Sequence, residues 1–114
     1  METIMNMFKN VNAAIVATDA DYKVIYQNEK CKQVFKLAFG TSDYTGTSIH
    51  DLHKPETNEK IKLHYQEYQA KTRNQYHYVT NGSRGKITIV NSPFYDDSGE
   101  FAGVVEFMFE GTLE

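Results

Sequence analysis

Few residues in this chain could carry chemistry. It has four histidines (His50, His53, His64 and His77) and a single cysteine, Cys31. One cysteine excludes a disulfide framework and any multi-cysteine zinc site. His50 and His53 stand three apart and could share a helix face, as metal ligands do. Asp51 and Glu56 are near in sequence, but no carboxylate at ligand spacing completes a set, so the segment reads as a polar surface turn and no metal is expected. Cys31, within NEKCKQ, reads as a small, partly buried thiol. No Gly-x-Ser-x-Gly elbow, phosphate loop or Cys–His pairing is present. Asp19, Asp21, Asp96 and Asp97 lie in turn-forming runs, where their side chains bond nearby amides. Glu106 is the one carboxylate at the centre of a predicted strand. Acid–base work would require it to be buried with a shifted pKa; alternation puts it on a mixed face, expected to meet solvent or an interface. The chain therefore reads as a non-enzyme, with a small α+β isomerase or hydrolase as the rival from a different class.

These residues must be positioned by a single domain. The chain has 114 residues, 40% of them hydrophobic and 24% charged, with a net charge of −3. That size builds a core without covalent staples, and the composition is that of an ordinary folded domain. The acidic balance (pI ≈ 5.8) disfavours broad nucleic-acid contact. No apolar run approaches the length of a membrane span, and METIMNMFKN lacks the pattern of a signal peptide. A cytoplasmic location follows as the expectation. Eight tyrosines and seven phenylalanines, without tryptophan, suit half-wet walls as well as ordinary sheet packing.

Hydrophobic period orders the elements. Ile4, Met5, Phe8 and Val11 form one stripe of a short amphipathic helix over residues 1–11. AAIVAT and KVIYQ read as two strands of a hairpin joined by Asp19-Ala20-Asp21. Asn28 is a good N-cap for a helix ending before Gly40. Residues 48–52 suit one helical turn. Pro55 precedes the longest helix, where Ile61, His64, Tyr65 and Tyr68 recur at i, i+3, i+4 and i+7 on one face. The period then changes to two. QYHYVT, KITIVNS and EFAGVVEFMFE read as three antiparallel strands, separated by a loop at residues 81–85 and a turn at residues 96–99. The fold class is α+β, with helices covering one face of a five-stranded sheet.

Two segments, AIVATDADYKVIYQN and NSPFYDDSGEFAGVVEF, resemble the PAS domain, a sensor module common in bacterial signalling proteins. The family's first strand typically ends in Thr-Asp and its second in Asn, matched here by Thr18, Asp19 and Asn28. Its closing segment carries a Pro, an acidic-Gly turn and a Gly opening the last strand, matched by Pro93, residues 96–99 and Gly103. The likeness runs from about Asn12 to Glu110. Tyr22 departs from it, since the family often has Gly in that turn. Glu110-Gly111-Thr112 also stands where the family has an acidic-Ile-Thr ending. On this resemblance residues 12–110 form the domain and residues 1–11 a flanking helix. Residues 111–114 form a tail, read as a truncated linker or a cloning remnant.

The resemblance implies a PAS-like antiparallel sheet, with short helices and one longer helix on one face, and a cavity between that helix and the sheet. Applied here, the cavity walls are Ile61, His64, Tyr65 and Tyr68 from the helix, and Tyr76, Tyr78, Ile87, Ile89, Val105 and Phe107 from the strands. A one-residue register error would exchange sheet faces. The implied function is a sensory or interaction module that binds a small ligand or a partner and signals to a linked or separate effector. The alternative is a ligand-free homodimerisation module using Ile4, Met5, Phe8 and Val11. A helical His in this family suggests haem. The haem-binding pattern, a His three residues before Tyr-Leu-x-x-Tyr, places Ile61 at the ligand position, so haem through His64 needs another register. The flavin-adduct cysteine sits in a later helix than Cys31, so flavin is not expected either. No cofactor, nucleic acid or membrane insertion is expected.

Overall fold

The structure, a computed structural model, describes residues 2–82 and 84–112. Helix α1 (Glu2–Asn10) leads into β1 (Ala14–Asp19) and β2 (Val24–Gln27). Helix α2 (Glu29–Phe39), a 3-10 turn (Ile49–Leu52) and α3 (Pro55–Gln69) follow. Strands β3 (Tyr76–Gly82), β4 (Gly85–Tyr95) and β5 (Phe101–Glu110) complete the chain. The five strands form one antiparallel sheet in the order β2-β1-β5-β4-β3. Sequence-distant β1 and β5 are therefore the central neighbours, and the expected α+β architecture is present.

Local chemistry sets the turns. Asp19 Oδ1 accepts from the amides of Asp21 (2.9 Å) and Lys23 (3.0 Å) and closes the first hairpin. Tyr22 takes φ 69° there, the left-handed region that glycine enters without steric penalty. Its ring offsets that strain by packing 4.4 Å from Tyr65 and 4.3 Å from His50, centroid to centroid. The departure from the family's glycine is thus a departure in side chain alone. Asp96 Oδ1 repeats the device in the second hairpin, accepting from the amides of Ser98 (2.9 Å) and Glu100 (3.0 Å). Gly103 is required by a close approach: a Cβ there would stand 2.0 Å from the Thr18 carbonyl oxygen.

Asn28 joins three elements. Its Oδ1 accepts from Ile15 N (2.9 Å) and Cys31 N (3.0 Å), and its Nδ2 donates to Ala13 O (2.8 Å) and Phe8 O (3.0 Å). One buried amide thus caps α2, fixes the start of β1 and tethers the end of α1.

The core divides in two on the helix-bearing face of the sheet. Ala14, Val16 and Val24 pack against Cys31 and Phe35 of α2. Val104 packs against Tyr65 and Tyr68 of α3. Ile49 borders both groups. The exposed surface is 7585 Å², against about 6,400 Å² expected at this mass; the open space between the two groups and the exposed side chains of α1 both add to it.

Two expectations need correction. The loop at residues 81–85 is tighter than expected, because β3 runs to Gly82 and pairs it with Gly85. The Asn-Gly pair therefore ends a strand and does not form the turn centre. The second concerns register. The β4–β5 pairing shifts between Phe94 and Tyr95, where Tyr95 opposes Phe101 but Phe94 opposes Gly103. The extra residue, Ala102, moves every later pair by one. Ile89 thus faces Met108 and Asn91 faces Glu106. An unbulged hairpin would have set Ile89 against Phe107. Val105 and Phe107, expected on the cavity wall, lie on the opposite sheet face.

Candidate functional site

A cavity of about 1530 Å³ separates α2 and α3 from the far half of the sheet and opens to solvent. Ligand sites usually enclose about 300–1,000 Å³, so this is a roomy cleft. Ile61, His64, Tyr65 and Tyr68 line it from α3, as the helical spacing required. Tyr76 and Tyr78 line it from β3, and Ile87 and Ile89 from β4. Val105 and Phe107 take no part. Their places belong to Val104, Glu106 and Met108, and the wall also includes Thr18 and Asn91. These residues lie on the mixed side of β5; the bulge at Ala102, which no residue pattern in the strand announces, turned that side inward.

Hydrogen bonds hold the tyrosine wall. The hydroxyls of Tyr65 and Thr18 bond each other. Tyr68 donates to Asn91 Oδ1 and, at 3.3 Å, to the Asn91 carbonyl. Tyr95 donates to the carbonyl of Tyr68 at 2.8 Å and anchors the end of α3 on β4. Tyr76 donates to Glu67 Oε1 at 2.5 Å. Its ring carries the His64 imidazole stacked 3.7 Å away and the Arg73 guanidinium at 4.2 Å. Burial pushes the Tyr65 and Tyr68 hydroxyls well above their usual range. Burial, with the Glu106 charge behind it, lifts Tyr78 to about 12.

Glu106 is the charged group of the cleft floor. Its remaining exposed surface faces the cleft, and protein surrounds it otherwise. Burial raises its carboxyl from 4.5 to about 7, while the Asn91 side chain, opposite it on β4, pulls the other way. At the mouth, Glu110 gathers Arg84 Nη2 (2.6 Å) and Lys30 Nζ (3.3 Å).

The other candidates lie apart. The His50 ring packs on Tyr22, and His53 Nδ1 lies 2.8 Å from the Ile49 carbonyl. Among the described residues no group of three or more His, Cys, Asp or Glu stands close enough to hold a metal. Burial lowers the pKa of His64 below its ordinary value, against the opposing pull of Glu67. Cys31 is fully buried under β1, and burial raises its thiol to about 11. Ile4, Phe8 and Val11 of the N-terminal stripe are 44–51% exposed; the side chain of Met5 falls outside the described residues.

Comparison with known proteins agrees with this fold. The PAS domain profile matches residues 4–111. A C-terminal domain from Streptococcus mutans superposes with TM-score 0.75 at 20% identity, over 94% of this chain and 81% of that one. The PAS domain of a Colwellia psychrerythraea protein gives 0.72 at 18% identity, over 97% and 96%. A sensory box sensor histidine kinase from Vibrio cholerae gives 0.66 at 13% identity, over 99% and 92%. No curated protein sequence matches the chain.

Proposed function

The chain belongs to the PAS domain family, and on that premise we propose that it is a sensory module whose α3–sheet cleft binds a small ligand. The observation that carries this reading is the cleft itself. Between two packed groups of core residues the fold leaves an open cleft of about 1530 Å³, edged by Tyr65 and Tyr68, whose hydroxyls are tied to Thr18 and Asn91. A pure packing module would fill that space with rings, because interiors pack densely and voids destabilise.

A ligand shifts a conformational equilibrium only by its differential affinity for the two states. Here it would draw α3 and β3–β5 together, and β5 is hydrogen-bonded to β1. Asn28 links β1 to the carbonyl of Phe8 in α1, so the N-terminal flank is the outlet toward a linked or separate effector. Likeness to the fold of a sensor histidine kinase supports an effector of the signalling type. The reading assigns no turnover, no nucleic-acid contact and no resident cofactor. Haem on His64 would have to displace the stacked Tyr76 ring. Among the described residues no helix is long and apolar enough to cross a membrane; a bacterial cytoplasmic setting is part of the proposal.

Ile89→Trp tests it, by projecting a large ring from β4 into the cleft. Small molecules that raise the melting temperature of the native chain should lose that effect in the variant. Equal stabilisation of both proteins would overturn the assignment.

A second reading, homodimerisation, is favoured by one observation. The apolar side chains Ile4, Met7, Phe8 and Val11 of the N-terminal flank stand 44–60% exposed, the state of a surface that a second copy would cover.

A further inference from the structure

We infer that the cleft recognises an organic amine, a ligand with an apolar body whose protonated nitrogen docks on the Glu106 carboxylate. This rests on the cleft being a ligand site, as proposed above, and adds the chemical class.

Three observations carry it. First, Glu106 lies mid-strand in β5 and faces the cleft, opposite Asn91. Among the described residues the ion pairs engage Glu29, Glu59 and Glu110, and none engages Glu106. A partly buried carboxylate without a protein cation carries a desolvation cost, and a ligand cation offsets it. Second, Asn91 orients the site. Its Oδ1 accepts from Tyr68, which leaves its amide N–H groups free on the residue paired with Glu106 across β4 and β5. A carboxylate offers about four acceptor positions, and those facing the cleft remain open to a ligand N–H. Third, the surrounding wall suits a cation on an apolar body. Tyr78, 47% exposed, stands on the cleft wall with Ile87, Ile89 and Met108; aromatic faces attract organic cations.

The rim does not reverse this preference. Lys30 and Arg84 are engaged by Glu110. Lys60 and Lys86 are exposed at the mouth, where salt screens charge over about 8 Å. An anionic ligand reaching the floor would meet Glu106 with like charge.

Burial holds the Glu106 carboxyl at about 7. The groups facing it are Tyr65 and Tyr68 of α3, Tyr78 of β3, Cys31 of α2 and Asn91 of β4, all neutral near that pH. His64, on the same α3 wall, has its pKa lowered and is neutral there as well. Docking of an amine near neutral pH therefore expels part of a proton from Glu106.

The test is calorimetric titration of the purified chain, and of Glu106→Gln, with 2-phenylethylamine, 2-phenylethanol and phenylacetate. Backbone amide shifts of the cleft residues are followed in parallel. The amine should bind the native chain about tenfold tighter than the alcohol or better. In Glu106→Gln that preference should vanish while alcohol binding persists, which also shows that the variant's cleft is intact. On the native chain, amine binding at about pH 7 should release a proton fraction, read as a binding enthalpy that changes with the buffer's ionisation enthalpy. Equal affinities for amine and alcohol, or preference for phenylacetate, would overturn the amine assignment and leave the ligand site standing. If none of the three probes moved the cleft amides, both proposals would fall.

Discussion

Replacing Glu106 with glutamine should make the fold more stable at neutral and alkaline pH, and the gain should itself depend on pH. In the folded chain burial raises the carboxyl from 4.5 to about 7. Between those values the native state holds a proton that the unfolded chain has released. Stability therefore falls as pH rises through this window, and the loss is complete above about pH 7. A displacement of roughly 2.5 pH units corresponds to about 3 kcal/mol. Solvent in the cleft solvates part of the charge, so about 2 kcal/mol is expected. The glutamine amide would stay neutral throughout and escape this loss. The difference between variant and native stability should be flat below about pH 4, grow to about pH 8 and then level off. With a urea slope near 1–1.5 kcal/mol/M, the midpoint at about pH 8 should move upward by roughly 1.5 M. The neighbours do not confuse the reading. Tyr65, Tyr68, Tyr78 and Cys31 remain neutral across the window, and the His64 titration is common to both proteins. Two stability–pH profiles separated by a constant would instead place Glu106 in water.

Asn28→Ala should destabilise the fold by about 2–4 kcal/mol in urea denaturation, because it strands the buried Ile15 and Cys31 amides that Asn28 satisfies. In the same variant α1 should lose protection in hydrogen exchange before the sheet does, because the tie to the Phe8 carbonyl is gone. Phe8→Glu should weaken self-association in sedimentation velocity while leaving the melting temperature unchanged; an unaltered sedimentation coefficient at all concentrations would remove the N-terminal stripe from any interface. The purified chain should show no Soret band; a strong one would place His64 on iron and require the Tyr76 stack to open.

Much of this arrangement could be read from residue order. The i, i+3, i+4, i+7 stripe on α3 placed Ile61, His64, Tyr65 and Tyr68 on one face, since helical geometry leaves that stripe one place to go. Asn28 could be read as a cap, and the aspartates as turn anchors, because their side chains act on amides a few residues away. Glu106 stood out as the one strand-centre carboxylate, but the face it occupies could not be read. The side of β5 carrying Val105, Phe107 and Phe109 is the more apolar, and burial by hydrophobicity alone turns it toward the helices. One bulged residue, Ala102, reverses the choice, and a bulge reflects pairing between strands, which neither strand's own pattern contains. The resulting sheet has an apolar outer face, with Phe107 and Phe109 stacked 6.4 Å apart, and a mixed inner face that suits a solvated cleft. The polar ties of Asn28 to Phe8 and of Tyr68 to Asn91 cross 20 and 23 residues of chain. Contacts at that separation follow from the fold and have no local signature.

Native mass spectrometry of the chain, purified without denaturation and then exposed to a mixture of small amines and their uncharged counterparts, addresses the occupied cleft directly. One amine per chain should appear as added mass on the native protein and be absent from Ile89→Trp. Bare chain mass for both proteins, or equal adducts on both, would contradict a ligand-binding cleft beneath α3.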